Sequence, residues 1–373
     1  MIRVLEKLKS VTNGGIETFV FGISERLNDD DIKIEIYSDN KPEAQKYEDI
    51  AQSCGIRLRG SGRDYKAVRI KPLRMLLKWV DFFKFIKQEH YDIIHLHMCR
   101  PYDILYAAAA YLAGSRKIIL HSHFSQRSDI SFSEKLSDPV FRAVSRRTGY
   151  RFAACSEQAA RYMFGRQSFT LMNNGIETDK FSYSPELRMT ERERLCIVDS
   201  FAVGNVGRLC EAKNQSFLLE IFAELLKLRQ DSILIIAGDG ELESRLKQKA
   251  EELKISEKVI FCGAVDNTSL LYQAMDCFVF PSLFEGLGIA AVEAQAAGLK
   301  TVCSDNVPRE AAVTELCSFM PLKASPKEWA EHIISECDGY SRRSYAEEVR
   351  AAGYDLAHTA RQLENIYLSL SEE

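Results

Sequence analysis

The stretch Phe280-Pro281-Ser282-Leu283-Phe284-Glu285-Gly286-Leu287-Gly288-Ile289-Ala290-Ala291-Val292-Glu293-Ala294-Gln295-Ala296-Ala297-Gly298-Leu299-Lys300-Thr301-Val302-Cys303-Ser304-Asp305 decides the reading of this chain. Cys277 to Phe280 is a short apolar run, the pattern of a buried strand. Pro281 and Ser282 stop it, and Gly286 and Gly288 flank Leu287 in a loop. The alanine-rich run Ile289–Ala297 predicts a helix that Gly298 closes, and Leu299–Ser304 predicts the next strand. A glycine loop at a helix N-terminus leaves N–H groups open to a phosphate or another anion. Two carboxylates frame it: Glu285 in the loop, and Glu293 about two turns into the helix. A carboxylate beside a phosphate site is electrostatically misplaced unless it serves another group, and sugar hydroxyls fit.

The 373 residues fit two domains better than one core. Ten cysteines lie scattered without a CxxC, which predicts reduced thiols in the cytoplasm rather than a disulfide framework. Lys7 and Lys9 interrupt the first apolar segment, so it does not read as a signal peptide. The longest uncharged apolar run, Ile104 to Ala113, is too short to span a bilayer. The expectation is a cytoplasmic protein, at most peripheral to the inner face of the membrane. Net charge is −4, but residues 1–185 carry 29 Lys+Arg against 22 Asp+Glu, and the rest 20 against 31. A basic first half suits an anionic partner, a membrane surface or a phosphorylated acceptor, although a modest excess is also common without one.

Outward from the opening stretch, the same strand–loop–helix unit recurs. Ile2–Leu8 reads as a strand weakened by its charges, followed by Asn13-Gly14-Gly15-Ile16-Glu17 and a helix carrying Phe19, Val20, Ile23 and Leu27. This loop is not GxGxxG, so no dinucleotide fingerprint is present. Strands are predicted at Asp31–Tyr37, Tyr91–His97, Lys117–His123, Phe152–Ser156 and Thr170–Asn174, six in the first domain. Lys71–Lys87 reads as a basic amphipathic helix with Leu73, Leu76, Leu77, Val80 and Phe83 on one face, packed on the sheet or lying on an anionic membrane. Arg142, Arg146, Arg147 and Arg151 suggest a second basic helix face. The polar stretch Ser182–Arg194 reads as a linker, after which strands at Ala202–Gly207, Ser232–Ala237 and Val259–Gly263 restart the alternation. The chain is therefore expected to be α/β, with two Rossmann-like, doubly wound parallel-sheet domains facing a central cleft.

His95-Leu96-His97 and His121-Ser122-His123 end neighbouring strands, where i and i+2 share a face. No HExxH or cysteine cluster supports a zinc site, and no metal is expected. One imidazole at the carboxyl edge of the sheet, contacting a ligand hydroxyl or phosphate, is the preferred reading. Arg208 and Lys213 leave the end of another strand five residues apart. Two cations and a helix N-terminus suit a diphosphate whose charge grows as it departs.

Gly14-Gly15-Ile16-Glu17, His121-Ser122-His123, Asn173-Asn174-Gly175-Ile176, Gly207-Arg208 with Lys213-Asn214, Gly238-Asp239-Gly240, and Glu285 with Glu293 stand in the order found in the retaining GT-B glycosyltransferases of family 4. The chain resembles that family over nearly its whole length. The tail Ser304-Asp305-Asn306-Val307-Pro308-Arg309-Glu310 departs from the family's frequent Gly-Gly-x-x-Glu and looks more like the exopolysaccharide and capsule-synthesis branch. The resemblance implies a GT-B fold: an acceptor-binding domain over residues 1–182, a donor-binding domain over 183–354, and a helix, 355–373, returning to the first. It implies that Arg208 and Lys213 hold the diphosphate of a nucleotide sugar, UDP-linked by expectation. Glu285, with Gly286, Leu287 and Gly288, would meet the sugar, and Glu293 the ribose. Gly14 and Gly15 would let the backbone approach the phosphates. His121 would touch the donor sugar and serve catalysis beside Arg208, Lys213 and Glu285, with His123, His97 and Asn174 as further acceptor or sugar contacts.

The implied activity is a retaining, metal-independent hexosyl transfer to a lipid-linked or polysaccharide acceptor in exopolysaccharide or capsule biosynthesis. No cofactor and no nucleic acid is expected, and peripheral contact with an anionic membrane is one of two readings of the basic helices, the other being packing on the sheet. The alternatives are a non-catalytic nucleotide-sugar-binding partner subunit and a GT-B-type sugar-nucleotide epimerase.

Overall fold

A computed structural model describes residues 1–11, 15–40, 45–123, 132–145 and 149–373. Gly14, Arg146 and Arg147 lie outside the described residues. The chain divides into two compact units, residues 1–175 with 356–373, and residues 176–355.

In the first unit β1 (Ile2–Leu8), β2 (Ile32–Ser38), β3 (Arg57–Arg59), β4 (Ile93–Met98), β5 (Lys117–Ser122), β6 (Arg151–Ala154) and β7 (Thr170–Leu171) form one sheet. Its order is β3-β2-β1-β4-β5-β6-β7, and neighbouring strands pair in parallel. Parallel pairing needs a crossover between strands, which is why helices alternate with strands along the sequence. Val4, Ile34, Ile93 and Ile119 meet Phe19, Val20 and Ile23 of the helix Gly15–Leu27 in the core. Leu363, Tyr367 and Leu370 of the C-terminal helix Leu356–Glu372 complete that core.

β8 (Phe201–Val206), β9 (Ser232–Ala237), β10 (Val259–Gly263), β11 (Cys277–Phe280), β12 (Lys300–Ser304) and β13 (Cys317–Met320) form the sheet of the second unit. Its order is β10-β9-β8-β11-β12-β13. The unit of the opening stretch is β11, the loop 281–288, the helix Ile289–Ala296 and β12. Leu218, Phe222 and Leu225 of the helix Gln215–Leu228 pack with Val203, Leu234 and Trp329.

Four expectations are corrected. The first sheet has a seventh strand, the three-residue β3, too short to show a period in sequence. The presumed linker is a helix, Pro185–Arg194, with the Ser184 hydroxyl accepting from Leu187 N–H and Pro185 in the first turn. Arg188 and Arg192 tie it to the end of the helix Thr268–Ala274, donating to Asp276 at 2.5 and 3.2 Å and to the carbonyls of Met275 and Ala274 at 2.8 and 2.7 Å. Polar side chains there are buried in hydrogen bonds, so polarity did not mark solvent. Arg151 starts β6 instead of continuing a basic helix, and it pairs with Glu373. The helix Lys71–Gln88 buries Phe82 and Ile86, whereas Leu73 and Leu76 are 43% and 55% exposed, beside Ile70 at 63%.

None of the ten cysteines is in a disulfide. Among the described residues no helix is long and apolar enough to cross a membrane.

Candidate functional site

In the second unit the loops after β8 and β11 are sewn together. The 3₁₀ turn Glu211–Lys213 leads through Asn214, held left-handed at φ 55°, into the helix Gln215–Leu228. Asn214 Nδ2 donates to the Pro281 carbonyl at 3.1 Å, and Leu283 N–H donates to the Ala212 carbonyl at 2.8 Å. These bonds bring Lys213 Nζ to 2.7 Å from Glu285 Oε1 and 4.7 Å above the Phe280 ring. The pair is mostly buried, with side chains 20% and 11% exposed. An ammonium carries three donors and spends one here. The pair therefore presents a cation for phosphate and a carboxylate for hydroxyls side by side.

Gly288, at φ 93°, is the residue before the helix Ile289–Ala296, and a Cβ there would crowd Phe280 at 3.1 Å and Val307 at 3.3 Å. Asn306 donates to the Leu283 carbonyl at 2.9 Å, so the divergent tail after β12 lies against this loop. Glu293, one face further along, accepts a hydrogen bond from the Tyr272 hydroxyl at 2.8 Å. Burial pushes the Glu293 carboxyl up to about 7, opposed by the Tyr272 bond and the Lys213 charge. A carboxyl poised near neutrality accepts hydroxyl donors fully only once it has lost its proton.

Arg208 sits at the rim, exposed and paired with Glu241 at 3.3 Å. Its loop packs on Gly238-Asp239-Gly240: Leu209 N–H donates to the Asp239 carbonyl at 2.7 Å, and a Cβ on Gly238 would run into the Gly207 carbonyl. Gln215 reaches the Arg208 carbonyl at 3.1 Å. The motifs at Gly207, Gly238 and Glu285 thus converge in the second unit.

In the first unit the two His-x-His pairs and Glu6 form one buried network. His95 Nε2 lies 3.2 Å from His121 Nδ1, and His97 Nδ1 lies 2.8 Å from His123 Nε2. Glu6 Oε2 is 2.8 Å from His97 Nε2 and 3.1 Å from His95 Nδ1, and its other oxygen accepts from Tyr367. Burial would raise the Glu6 carboxyl, but the charge and hydrogen bonds of His95 and His97 outweigh it and hold it well below the usual carboxylate range. Burial pushes His97 down to about 4, and it lowers His121 and His123 strongly. These three are therefore neutral near pH 7. With Glu6 ionised, His97 donates from Nε2, His123 donates to His97 Nδ1, and His123 Nδ1 is left as an acceptor. His123 Nδ1, His121 Nε2 and Asn174 Oδ1 are buried without a hydrogen-bond partner.

His121, expected to touch the donor sugar, is fully enclosed in this network, and His123 is 4% exposed at the end of its strand. Gly15 opens the helix Gly15–Leu27. His95, His97 and His121 offer nitrogens within 4.8 Å of one another, close enough for one ion, although those rings are already joined by hydrogen bonds. The sequence reading missed Glu6, Tyr367 and Tyr272. Glu6 gave a signal, a charge inside a strand, while the tyrosines lie 361 and 21 residues from the carboxylates they meet.

Comparison with known proteins matches residues 13–180 to the model described as Glycosyltransferase Family 4 and residues 190–348 to the one described as Glycosyl transferases group 1. EpsF of Bacillus subtilis (strain 168), a glycosyltransferase by name, is 29% identical over 379 residues, covering 98% of this chain and 96% of its own. The UDP-Gal:alpha-D-GlcNAc-diphosphoundecaprenol alpha-1,3-galactosyltransferase of Escherichia coli is 27% identical over 248 residues, 63% of this chain and 62% of its own. The crystal structure of Anabaena HepE in complex with UDP-glucose superimposes with a TM-score of 0.81 at 18% identity, over 99% of this chain and all of that one. The likeness to HepE fixes the fold as GT-B.

Proposed function

Because the chain belongs to the family 4, group 1 glycosyltransferases of GT-B fold, we propose that it moves a hexose from a UDP-sugar, with retention, to a lipid-linked or polysaccharide acceptor. The observation that carries this reading is the Lys213–Glu285 pair beside the glycine loop, with Glu293 and Tyr272 behind it. Lys213 and Arg208 take the diphosphate, Glu285 accepts hydroxyls of the sugar, and Glu293 accepts the ribose hydroxyls. Backbone N–H groups of residues 286–288 meet sugar or phosphate.

As the glycosidic bond breaks, charge gathers on the departing phosphate oxygen. Two cations and a helix N-terminus stabilise it, which lowers the barrier directly. That oxygen takes the acceptor's proton, so no separate carboxylate base is needed and no metal is required. In the first unit Glu6 fixes tautomers that leave His121 Nε2 and His123 Nδ1 as acceptors; a ligand hydroxyl meets His123, 4% exposed, before the enclosed His121.

The name of the galactosyltransferase, whose acceptor is a diphosphoundecaprenol-linked sugar, supports an acceptor carried on a lipid diphosphate. Exposed Leu73 and Leu76 on a basic helix, with exposed Ile70 just before it, support peripheral contact with an anionic membrane. A thermal-shift screen of UDP- and GDP-sugars tests the reading. A UDP-sugar should raise the melting temperature, and no response to any nucleotide sugar would refute it.

A further inference from the structure

A cavity in the first unit is lined by none of the site residues described above. It has a volume of about 360 Å³, within the range of small-molecule sites, and opens at the carboxyl ends of β1, β2 and β4. Four cations line it, Lys9, Arg74, Lys78 and Arg100, together with Trp79, Tyr102 and Tyr106. Its two carboxylates are already engaged. Asp39 lies 3.0 Å from Lys7 and 3.4 Å from Lys78, and it accepts from the Tyr106 hydroxyl at 2.8 Å. Asp103 accepts from the N–H groups of Cys99 and Arg100, both at 2.9 Å. Among the described residues no carboxylate pairs with Lys9 or Arg74.

We propose that the cavity lined by Lys9, Arg74, Arg100 and Trp79 is a binding site for a glycosyl phosphate, the phosphorylated end of the acceptor. Lys9 and Arg74, which face the cavity without a carboxylate pair among the described residues, repel their cationic neighbours and are stabilised by a multiply charged anion, for which charge-assisted bonds are the strong kind. Aromatic faces at the same wall provide apolar surface for a sugar ring, whose C–H faces suit it. The Trp79 indole is positioned for this: its N–H donates to the Leu105 carbonyl and its ring stacks on Phe83. Leu73 and Leu76 of the same helix, and Ile70 just before it, are exposed apolar residues flanking Arg74 in sequence. This assignment rests on the transferase reading for calling the ligand an acceptor, but the cavity's chemistry stands apart from the donor residues.

Trp79 is one of only two tryptophans, the other being the buried Trp329, so it reports on the cavity. The full-length chain, held in excess UDP to fill any nucleotide site, is titrated with glucose 1-phosphate, glucose and inorganic phosphate while fluorescence is recorded. Glucose 1-phosphate should change the emission saturably, and Trp79→Phe should abolish the change. Arg74→Gln and the exposed-site variant Lys9→Gln should each weaken it at least fivefold, with UDP binding by calorimetry unaltered. Glucose should be silent, and phosphate should bind more weakly. No saturable change, or affinity unaltered in both variants, overturns the site. Equal affinity for inorganic phosphate overturns the glycosyl assignment. Failure of the unmodified chain to bind UDP strikes the transferase reading instead, and leaves the fluorescence result to decide the cavity.

Discussion

Glu293 offers a quantitative test because its acidity and its proposed partner pull in opposite directions. Its carboxyl is held near 7 by burial, and two ribose hydroxyls need the ionised form as acceptor. If only the carboxylate binds, the affinity for UDP follows its ionised fraction. For an acidity constant near 7 that fraction is about 90% at pH 8 and about 10% at pH 6, so affinity falls about tenfold, or about 1.4 kcal/mol. An ordinary glutamate would be ionised at both values and would contribute no change. Calorimetric titration of UDP at pH 6, 7 and 8 measures the total dependence, which includes the phosphate's own titration. Glu293→Gln keeps that phosphate contribution and removes the carboxylate's, so the difference between the two profiles isolates it. The same raised pKa makes folding less favourable as pH climbs from about 4.5 to about 7, since the unfolded glutamate gives up its proton more readily. Ligand should offset that loss. Parallel profiles for the two proteins would refute the ribose role of Glu293.

Lys213→Ala should abolish transfer, with the melting temperature read alongside to show that the fold persists; unchanged turnover in a coupled UDP-release assay would remove the phosphate role of Lys213. Acidification should destabilise the first unit. His97 protonates near 6.5 when unfolded and only near 4 when folded, so stability is present above 6.5 and falls by about 3 kcal/mol as pH drops to 4. Urea midpoints at pH 7 and 4.5 should differ accordingly, and less in His97→Gln; midpoints independent of pH would contradict the neutral buried imidazole. The double variant Leu73→Asp, Leu76→Asp should lose binding to phosphatidylglycerol vesicles in a flotation assay, and equal flotation would retire membrane contact through this helix.

The alternation of strands and helices was legible because buried parallel strands are nearly continuous apolar runs, and Cys277–Phe280 and Ser232–Ala237 end where the sequence pattern ends. The loop at Glu285 was legible because Gly288 has a conformational reason to be glycine. Pro185–Arg194 was misread because its charged residues are satisfied by a partner helix about 80 residues away, a relation no local window contains. Glu6 and Lys7 made the first strand look poor for the same reason: each has a buried partner outside it, Glu6 with His97 on β4 and Lys7 with Asp39 just after β2. Tyr272 shows the limit most plainly. Nothing in its neighbourhood marks it, yet its hydroxyl is what holds Glu293. Likewise the enclosure of His121 depends on His95 of β4 and Phe19 of the helix Gly15–Leu27 closing over it.

The most direct measurement is transfer itself, with the product's stereochemistry. Purified protein is incubated with a radiolabelled UDP-hexose and a diphospholipid-linked sugar in detergent, with and without EDTA, and the product's anomeric coupling constant is read by NMR. The account predicts label in the lipid fraction, undiminished by EDTA, with the anomeric configuration of the donor. An inverted product or an EDTA-abolished reaction would contradict the proposed mechanism, and no transfer from any UDP-hexose the protein binds would contradict the central claim.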